Sequence, residues 1–241
     1  MSCTVILLAS TPNPDELVAA AARICYRDVT AADLLRREEE SLSEELLDHI
    51  WRSGHHSPFE HAVFTFAVDG LSRVASHQLV RHRMASFSQQ SQRYVRMAAP
   101  DVVAPPSVAA HPEAAAIFDR QARAAHEAYR ELLSLGIPAE DARFILPHGW
   151  GTRLVLTMNA RELHHFFRLR LCRRAQWEIR EMARLILAEC RTVAPVIFRR
   201  AGPSCLFGPC TEARPCGRPY KDMENLLASH SDRSWQNRAG P

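Results

Sequence analysis

The stretch AVFTFAVDGLSRVASHQLVRHRMASFSQQSQRY, Ala62 to Tyr94, holds a strand signal, a turn signal, a helix signal and a polar segment in immediate succession. Phe64 and Phe66 alternate with Val63 and Thr65, so Ala62 to Val68 predicts a half-buried strand, and Asp69-Gly70 predicts the turn that ends it. Leu71, Val74, Ala75 and Leu79 recur at helical spacing, which places Gln78 on one helix face with Arg81 three residues later. From Arg81 the apolar pattern stops. Arg81, His82, Arg83 and Arg93 stand beside Ser86, Ser88, Gln89, Gln90, Ser91 and Gln92, with Met84, Ala85 and Phe87 as the apolar interruptions. Guanidinium forks, hydroxyls and carboxamides make a donor-rich surface suited to phosphate oxygens and the edges of a base.

Working outward, Thr4 to Ala9 predicts a first strand, and Pro14, Asp15 and Glu16 open a helix to about Tyr26 with acidic residues where the dipole favours them. Ser41 or Ser43 is placed to cap a helix bearing Leu46, Leu47, Ile50 and Trp51, which Gly54 stops. Pro100, Pro105, Pro106 and Pro112 mark an irregular crossing before a long helix from Ala114 to Leu135. Thr152 to Met158 predicts a strand, Asn159-Ala160-Arg161 a helix entry, and Ala175 to Phe198 a long helix bent or ended by Pro195. Few strands separated by helices imply an α+β (mixed α/β) fold in a single domain. The segment from Gly202 is rich in Gly, Pro and Cys, and its last ten residues are expected to be disordered.

With 46% hydrophobic residues in 241, the chain can bury a substantial core. No run of about 18 apolar residues and no secretory leader is present, so no membrane span is expected and the cytoplasm is the expected compartment. A net charge of +3 is small for a general polyanion binder. A nucleic-acid module, with the arginines on phosphates and Phe87 and Tyr94 stacked on bases, is the alternative reading.

Three constellations carry chemistry. Gly54 to His61 (GHHSPFEH) holds His55, His56, His61 and Glu60, but not at metalloprotease spacing, and no metal is expected there. Ser57-Pro58 fixes a turn that holds an imidazole and a hydroxyl at the mouth of a sheet. Asn159, Arg161, His165 and Arg170 share a helix whose Leu163, Phe166, Phe167 and Leu169 bury much of its circumference, so its polar groups need partners. Cys3, Cys25, Cys172 and Cys190 are scattered, whereas Cys205, Cys210 and Cys216 cluster at a spacing that matches no standard finger; reduced or partly oxidised thiols are the expected state, zinc with His230 the alternative. No glycine-rich phosphate loop is present, so a bound nucleotide must be gripped by side chains.

Together these segments resemble the flavin-dependent thymidylate synthases. The family's Arg-His-Arg, seven residues, Ser, any residue, Arg is met by Arg81, His82, Arg83, Ser91 and Arg93; Gly-His-x-Ser/Thr-Pro-x-Glu-His by Gly54, His55, Ser57, Pro58, Glu60 and His61; the helix entry by Asn159 and Arg161; and Leu-Arg followed by Ala-Gln-Trp-Glu-Ile-Arg by Leu169, Arg170 and Ala175 to Arg180. The similarity runs from about residue 3 to residue 207, which implies a domain of that family over 1–207 and a tail over 208–241. The resemblance implies a central, mainly antiparallel sheet flanked by helices and a homotetramer with shared active sites. It implies that dUMP is methylated to dTMP using FAD, 5,10-methylenetetrahydrofolate and NADPH, without a cysteine nucleophile. His55, Ser57, Arg81, His82, Arg83, Gln89, Asn159, Ala160, Arg161 and His165 are then expected at FAD. Gln78, Leu79, Val80, Arg81, Gln89, Gln90, Ser91, Gln92, Arg93, Arg143 and Arg170 are expected at dUMP, with Arg170 the catalytic group. His165 stands where other members carry Asn, and Gln89 where some carry Glu.

Overall fold

The structure, a computed structural model, describes residues 3–28, 30, 32–33 and 44–229. Its centre is a four-stranded antiparallel sheet in the order β1-β2-β4-β3, with β1 Thr4–Ser10, β2 Val63–Ser72, β3 Ala85–Gln89 and β4 Gly151–Asn159. The expected α+β class therefore holds. Helices α1 (Pro14–Tyr26), α2 (Glu44–Arg52), α3 (Arg73–Leu79), α4 (Pro112–Ser134), α5 (Ala160–Arg170), α6 (Trp177–Val193) and α7 (Met223–Ala228) surround it. No helix among the described residues is long and apolar enough to cross a membrane.

The alternation in β2 and β4 puts Phe64, Phe66, Val68, Leu154, Leu156 and Met158 on one sheet face, all buried against α5 and α6 residues such as Phe166, Phe167, Ile179 and Ile186. Tyr220 and Leu226, beyond residue 207, belong to the same core. On the opposite sheet face Ile6 and Leu8 are each 54% exposed, and Val63 and Val155 are exposed as well. Among the described residues no element covers these side chains.

Three local expectations are corrected. Asp69-Gly70 is a bulge and not a turn: β2 runs through it, its register with β4 shifts between Val68 and Leu71, and pairing resumes at Leu71↔Thr152 and Ser72↔Gly151. Gly70 takes φ 71°, which the bulge needs and a side chain resists. Helix α3 consequently starts at Arg73 and ends at Leu79, so Arg81 lies in the following turn and does not continue the Gln78 face. The polar segment, read from the sequence as a donor-rich surface with no strand in it, supplies edge strand β3, with Phe87 opposite Leu156. Ala85 and Phe87 face the core while Ser86 and Ser88 face out; a serine-rich pentapeptide has little strand propensity of its own, and pairing with β4 decides its state. The expected caps Ser41 and Ser43, and the last ten residues, lie outside the described residues. Gly54, at φ 79°, ends α2 as expected.

Candidate active site

Helices α3 and α5 bring the site together. Arg170, at the last position of α5, donates from Nε to His82 Nε2 (3.1 Å) and from Nη2 to the Gln78 carbonyl (3.1 Å). His82 Nδ1 lies 2.9 Å from Glu162 Oε1. A guanidinium Nε can only donate, so His82 Nε2 must accept, and the imidazole proton sits on Nδ1 and points at Glu162. His82 is 4% exposed, and burial lowers its pKa against the opposing pull of the Glu162 hydrogen bond, so the neutral ring is favoured. Glu162 is itself placed by Asn159, whose Oδ1 caps α5 by accepting from the Glu162 backbone N–H at 2.9 Å. Thus the Asn159 entry, the central histidine of the Arg-His-Arg triplet and Arg170 form one connected chain of groups.

His165 lies one turn along α5 from Arg161, its ring centroid 5.7 Å from His82. His82, Glu162 and His165 are close enough to suggest a metal site, but Arg170 already occupies His82 Nε2, and Arg168 Nη2 lies 3.5 Å from His165 Nδ1. Two fixed cations at the ligand nitrogens disfavour a third. Arg81 and Arg83 are exposed and make no hydrogen bond or ion pair among the described residues. Burial first, and then the Arg81 charge, lower the Arg170 pKa. Like charges held together without a counterion make an anion site.

A second group sits at the other end of α3, where Arg73 donates from Nη2 to the Gln90 carbonyl at 2.6 Å. Arg73 Nε is buried with no hydrogen-bond partner, and burial plus the neighbouring Arg143 charge lower its pKa. Arg143 Nε donates to the Glu140 carbonyl (2.9 Å), while the Glu140 carboxylate pairs with Arg93 Nε at 2.5 Å. Gln89 Nε2 donates to Thr152 Oγ1, and Ser91 Oγ accepts from the Arg93 backbone N–H. Arg73 and Gln78 are five residues apart on α3, about 7.5 Å along its axis, so one helix spans both groups. Arg73 was missed from the sequence, although an arginine in the first turn opposes the helix dipole and could have marked it.

The remaining expected residues are distributed around this frame. Leu79 is fully buried in the core, so only its backbone can face a ligand, whereas Val80 is exposed. His55 Nδ1 meets the Tyr26 hydroxyl at 2.9 Å, and Ser57 opens the short 3-10 turn Ser57–His61. Arg161 pairs with Glu60, which ties the Gly54–His61 segment to the start of α5. No hydrogen bond, ion pair or ring contact joins His55 or Ser57 to the His82–Arg170 group among the described residues. His56 stacks on Trp51 with ring centroids 4.2 Å apart, so the histidines of this segment do not converge.

The Ala175–Arg180 block works from behind. Gln176 Oε1 caps α6 by accepting from the Glu178 and Ile179 backbone N–H groups, both at 3.0 Å. Glu178, buried, reaches across to Ser72, accepting from its backbone N–H (2.5 Å) and hydroxyl (2.6 Å). Ser72 in turn caps α3 by accepting from the Ala75 N–H. Arg180 Nη1 donates to the Arg173 and Ala175 carbonyls, which fastens the loop after Arg170.

Comparison with known proteins identifies the family. Residues 6–196 match the family model described as thymidylate synthase complementing protein. The chain belongs to the flavin-dependent thymidylate synthase family. Relatives of that name include one from Geobacter sulfurreducens, 51% identical over 218 residues (89% of this chain, 94% of the relative). Another, from Pyrococcus horikoshii, is 44% identical over 240 residues (94% and 99%). Among solved structures, the UMP/dUMP methylase PolB from Streptomyces cacaoi, bound with 5-Br dUMP, superposes with a TM-score of 0.68 at 26% identity, covering 82% of this chain and 94% of that one.

Proposed function

We propose that this flavin-dependent thymidylate synthase family member converts dUMP to dTMP, with FAD as cofactor, 5,10-methylenetetrahydrofolate as one-carbon donor and NADPH as reductant. The observation that carries the reading is Arg170, clamped by His82 Nε2 and the Gln78 carbonyl beside the unneutralised Arg81. Methylating C5 of uracil requires that carbon to be nucleophilic, which a thiolate can achieve by adding to C6. Here burial pushes Cys3 up to about 12 and raises Cys172, Cys190 and Cys205 as well, so these thiols hold their protons. A fixed guanidinium on the uracil edge achieves the activation electrostatically, and removing one such donor costs about 3 kcal/mol of barrier. Arg170 Nη1, with no hydrogen bond among the described residues, is the atom left to face the base.

The donor set fits both ligands. Arg81 and Arg83, exposed on either side of the buried His82 and unpaired among the described residues, suit the FAD diphosphate, with Asn159, Ala160, Arg161 and His165 along α5 and His55, Ser57 and Gln89 completing the contacts. The bound flavin supplies the hydride that finishes the methyl group. Arg73 and Arg143, with the backbone of Gln90 to Arg93, suit the dUMP phosphate. The nucleic-acid alternative is disfavoured because Arg93 is paired with Glu140 and Arg73 is half-buried, which leaves no continuous basic stripe.

The reading includes self-association to a homotetramer. The bare sheet face, together with Met84 (70% exposed) and Phe144 (84% exposed), gives a second copy apolar surface to cover. Light scattering of the purified protein is expected to return four chains; a stable monomer with full activity would refute the shared site. For the reaction, the purified protein is expected to be yellow, to bleach under NADPH, and to release tritium from dUMP labelled at C5 only with methylenetetrahydrofolate present. Colourless protein that takes up no FAD and releases no tritium would refute the function.

A further inference from the structure

Just beyond Arg170 the chain turns, with the Ala175 N–H donating to the Cys172 carbonyl at 2.8 Å, and Arg173 and Arg174 reach from this turn to a segment remote in sequence. The Arg173 guanidinium lies 4.1 Å from the centroid of the Tyr220 ring, which is 5% exposed. Arg174 Nη1 donates to the Arg214 carbonyl at 2.8 Å and lies 3.4 Å from Glu212 Oε2. The same segment is anchored at its far end. Leu226 is fully buried in the main core, Arg184 Nη1 of α6 donates to the Leu227 carbonyl at 2.9 Å, and Asp222 caps α7 by accepting from the Asn225 N–H at 2.7 Å. We infer that residues 212–227 are a strap that holds the loop after Arg170, and that Tyr220 is a positioning residue for Arg170, acting through Arg173.

This rests on the proposed role of Arg170. Arg170 is the last residue of α5, where no following turn of helix holds the backbone. Arg168, Arg170, Arg173 and Arg174 stand close together in sequence, and Arg81 adds its charge at Arg170. Like charges crowded at a helix end repel one another and favour an opened turn. Arg180 counters this through the backbone alone, donating from Nη1 to the Arg173 and Ala175 carbonyls at 2.9 and 3.0 Å.

The charged side chains are taken up by the strap. It offers a π face to one guanidinium and a carbonyl with a carboxylate to the other. A cation over a ring withdrawn from water gains more than an exposed ion pair, so Tyr220 is the stronger of the two grips and the partly exposed Arg174–Glu212 pair the weaker. With the turn fixed, Arg170 keeps Nε on His82 and Nη2 on the Gln78 carbonyl. Tyr220 itself contacts neither of these groups, so its effect on the reaction passes through the loop.

Tyr220→Leu keeps apolar bulk in the core and removes the π face, whereas Tyr220→Phe keeps the face. In tritium release from C5-labelled dUMP, kcat of Tyr220→Leu is expected to fall roughly 5- to 30-fold, the factor that about 1–2 kcal/mol of cation–π contact makes at about 1.4 kcal/mol per tenfold. FAD content should hold and the KM for dUMP should stay within about twofold of wild type, while Tyr220→Phe restores the rate. Arg173→Met should show the same loss, and the double variant with Tyr220→Leu no more than either alone, because the two residues form one contact. Hydrogen exchange follows the strap without turnover: amides of residues 171–176 should lose protection in Tyr220→Leu and keep it in Tyr220→Phe. Should Tyr220→Leu fail to fold, Arg173→Met carries both readouts. A Tyr220→Leu enzyme with wild-type kcat, equal losses in the Leu and Phe variants, or additive losses in the double variant would overturn the positioning role. Unchanged exchange would overturn the strap. Wild-type protein without turnover would instead overturn the proposed reaction, and with it the positioning role, leaving exchange to decide the strap.

Discussion

Replacing Glu162 by Leu tests whether Arg170 depends on the protonation form of His82. Arg170 Nε donates to His82 Nε2 at 3.1 Å and His82 Nδ1 faces Glu162 Oε1 at 2.9 Å, so the carboxylate holds the proton on the nitrogen away from the arginine. Without it, the Nδ1–H is buried with no acceptor, and the other tautomer turns an N–H against the guanidinium N–H. Arg170 then loses a hydrogen bond of a charged group, about 1.5–3 kcal/mol. At about 1.4 kcal/mol per tenfold, kcat is expected to fall roughly 10- to 150-fold. The fall should appear in kcat more than in KM if, as proposed, Arg170 acts on charge that develops in the transition state. Loss of the first-turn acidic residue costs about 0.3–1 kcal/mol of helix stability and the unsatisfied buried Nδ1–H about 1–3 kcal/mol more, so the rates are to be compared well below the melting transition with flavin content measured in each variant. Glu162→Gln keeps an acceptor for the Nδ1–H and should retain most activity. Tritium release from C5-labelled dUMP under saturating substrates measures this directly. Equal losses in the two variants, or a Glu162→Leu enzyme within about twofold of wild type, would refute the tautomer argument.

Arg170→Ala should nearly abolish tritium release while absorbance spectra show FAD still bound; loss of flavin instead would reassign the residue. Ser72→Ala removes the α3 cap and leaves the buried Glu178 short of a donor, so urea unfolding should show a loss of about 2–4 kcal/mol, with no loss counting against the coupling. Burial holds His164 at about 3 against an ordinary 6.5. Its folded pKa is depressed, so its contribution to stability is complete above about pH 6.5 and is lost as pH falls toward 3, at about 1.4 kcal/mol per unit. His164→Phe, though less stable for want of the Ile197 hydrogen bond, should flatten that acid slope measured by denaturant unfolding, and an unchanged slope would place the proton elsewhere. His82 is depressed in the same sense, so activity should persist down through about pH 6.5 and fail below it, where protonation removes the acceptor for Arg170.

The frame of the fold was legible where periodicity is strong. Phe64, Phe66, Leu154 and Leu156 alternate cleanly, and they form the buried sheet face. What escaped was set by tertiary pairing. Asp69-Gly70 carries the signature of a hairpin turn, yet β4 continues alongside and turns it into a bulge. Edge strand β3 has Ala85 and Phe87 at alternate positions, but its two serines and Gln89 read as part of a polar donor surface until β4 is present to pair with them.

The site shows a related asymmetry. Its donors cluster in sequence, because Arg81, His82 and Arg83 are contiguous, and their density was visible at once. Its acceptors do not cluster. Glu162 lies 80 residues from His82 and Glu178 lies 106 residues from Ser72, each on a helix where a single carboxylate looks like part of a wet face. A buried cation or a helix start needs such an acceptor, and only the packing of α5 and α6 against α3 reveals which one serves. Arg73 is the converse case: its Nε is buried next to Arg143, and no acceptor for it stands among the described residues. An orphaned donor at a like-charged pair is what an anion from outside would satisfy, and this is the ground for placing Arg73 at the phosphate in the proposed reading even though no motif marked it. Arg73→Gln should therefore raise KM for dUMP roughly tenfold or more with kcat little changed, as expected for loss of a charge-assisted phosphate contact. An unchanged KM would show that the buried nitrogen serves the fold alone.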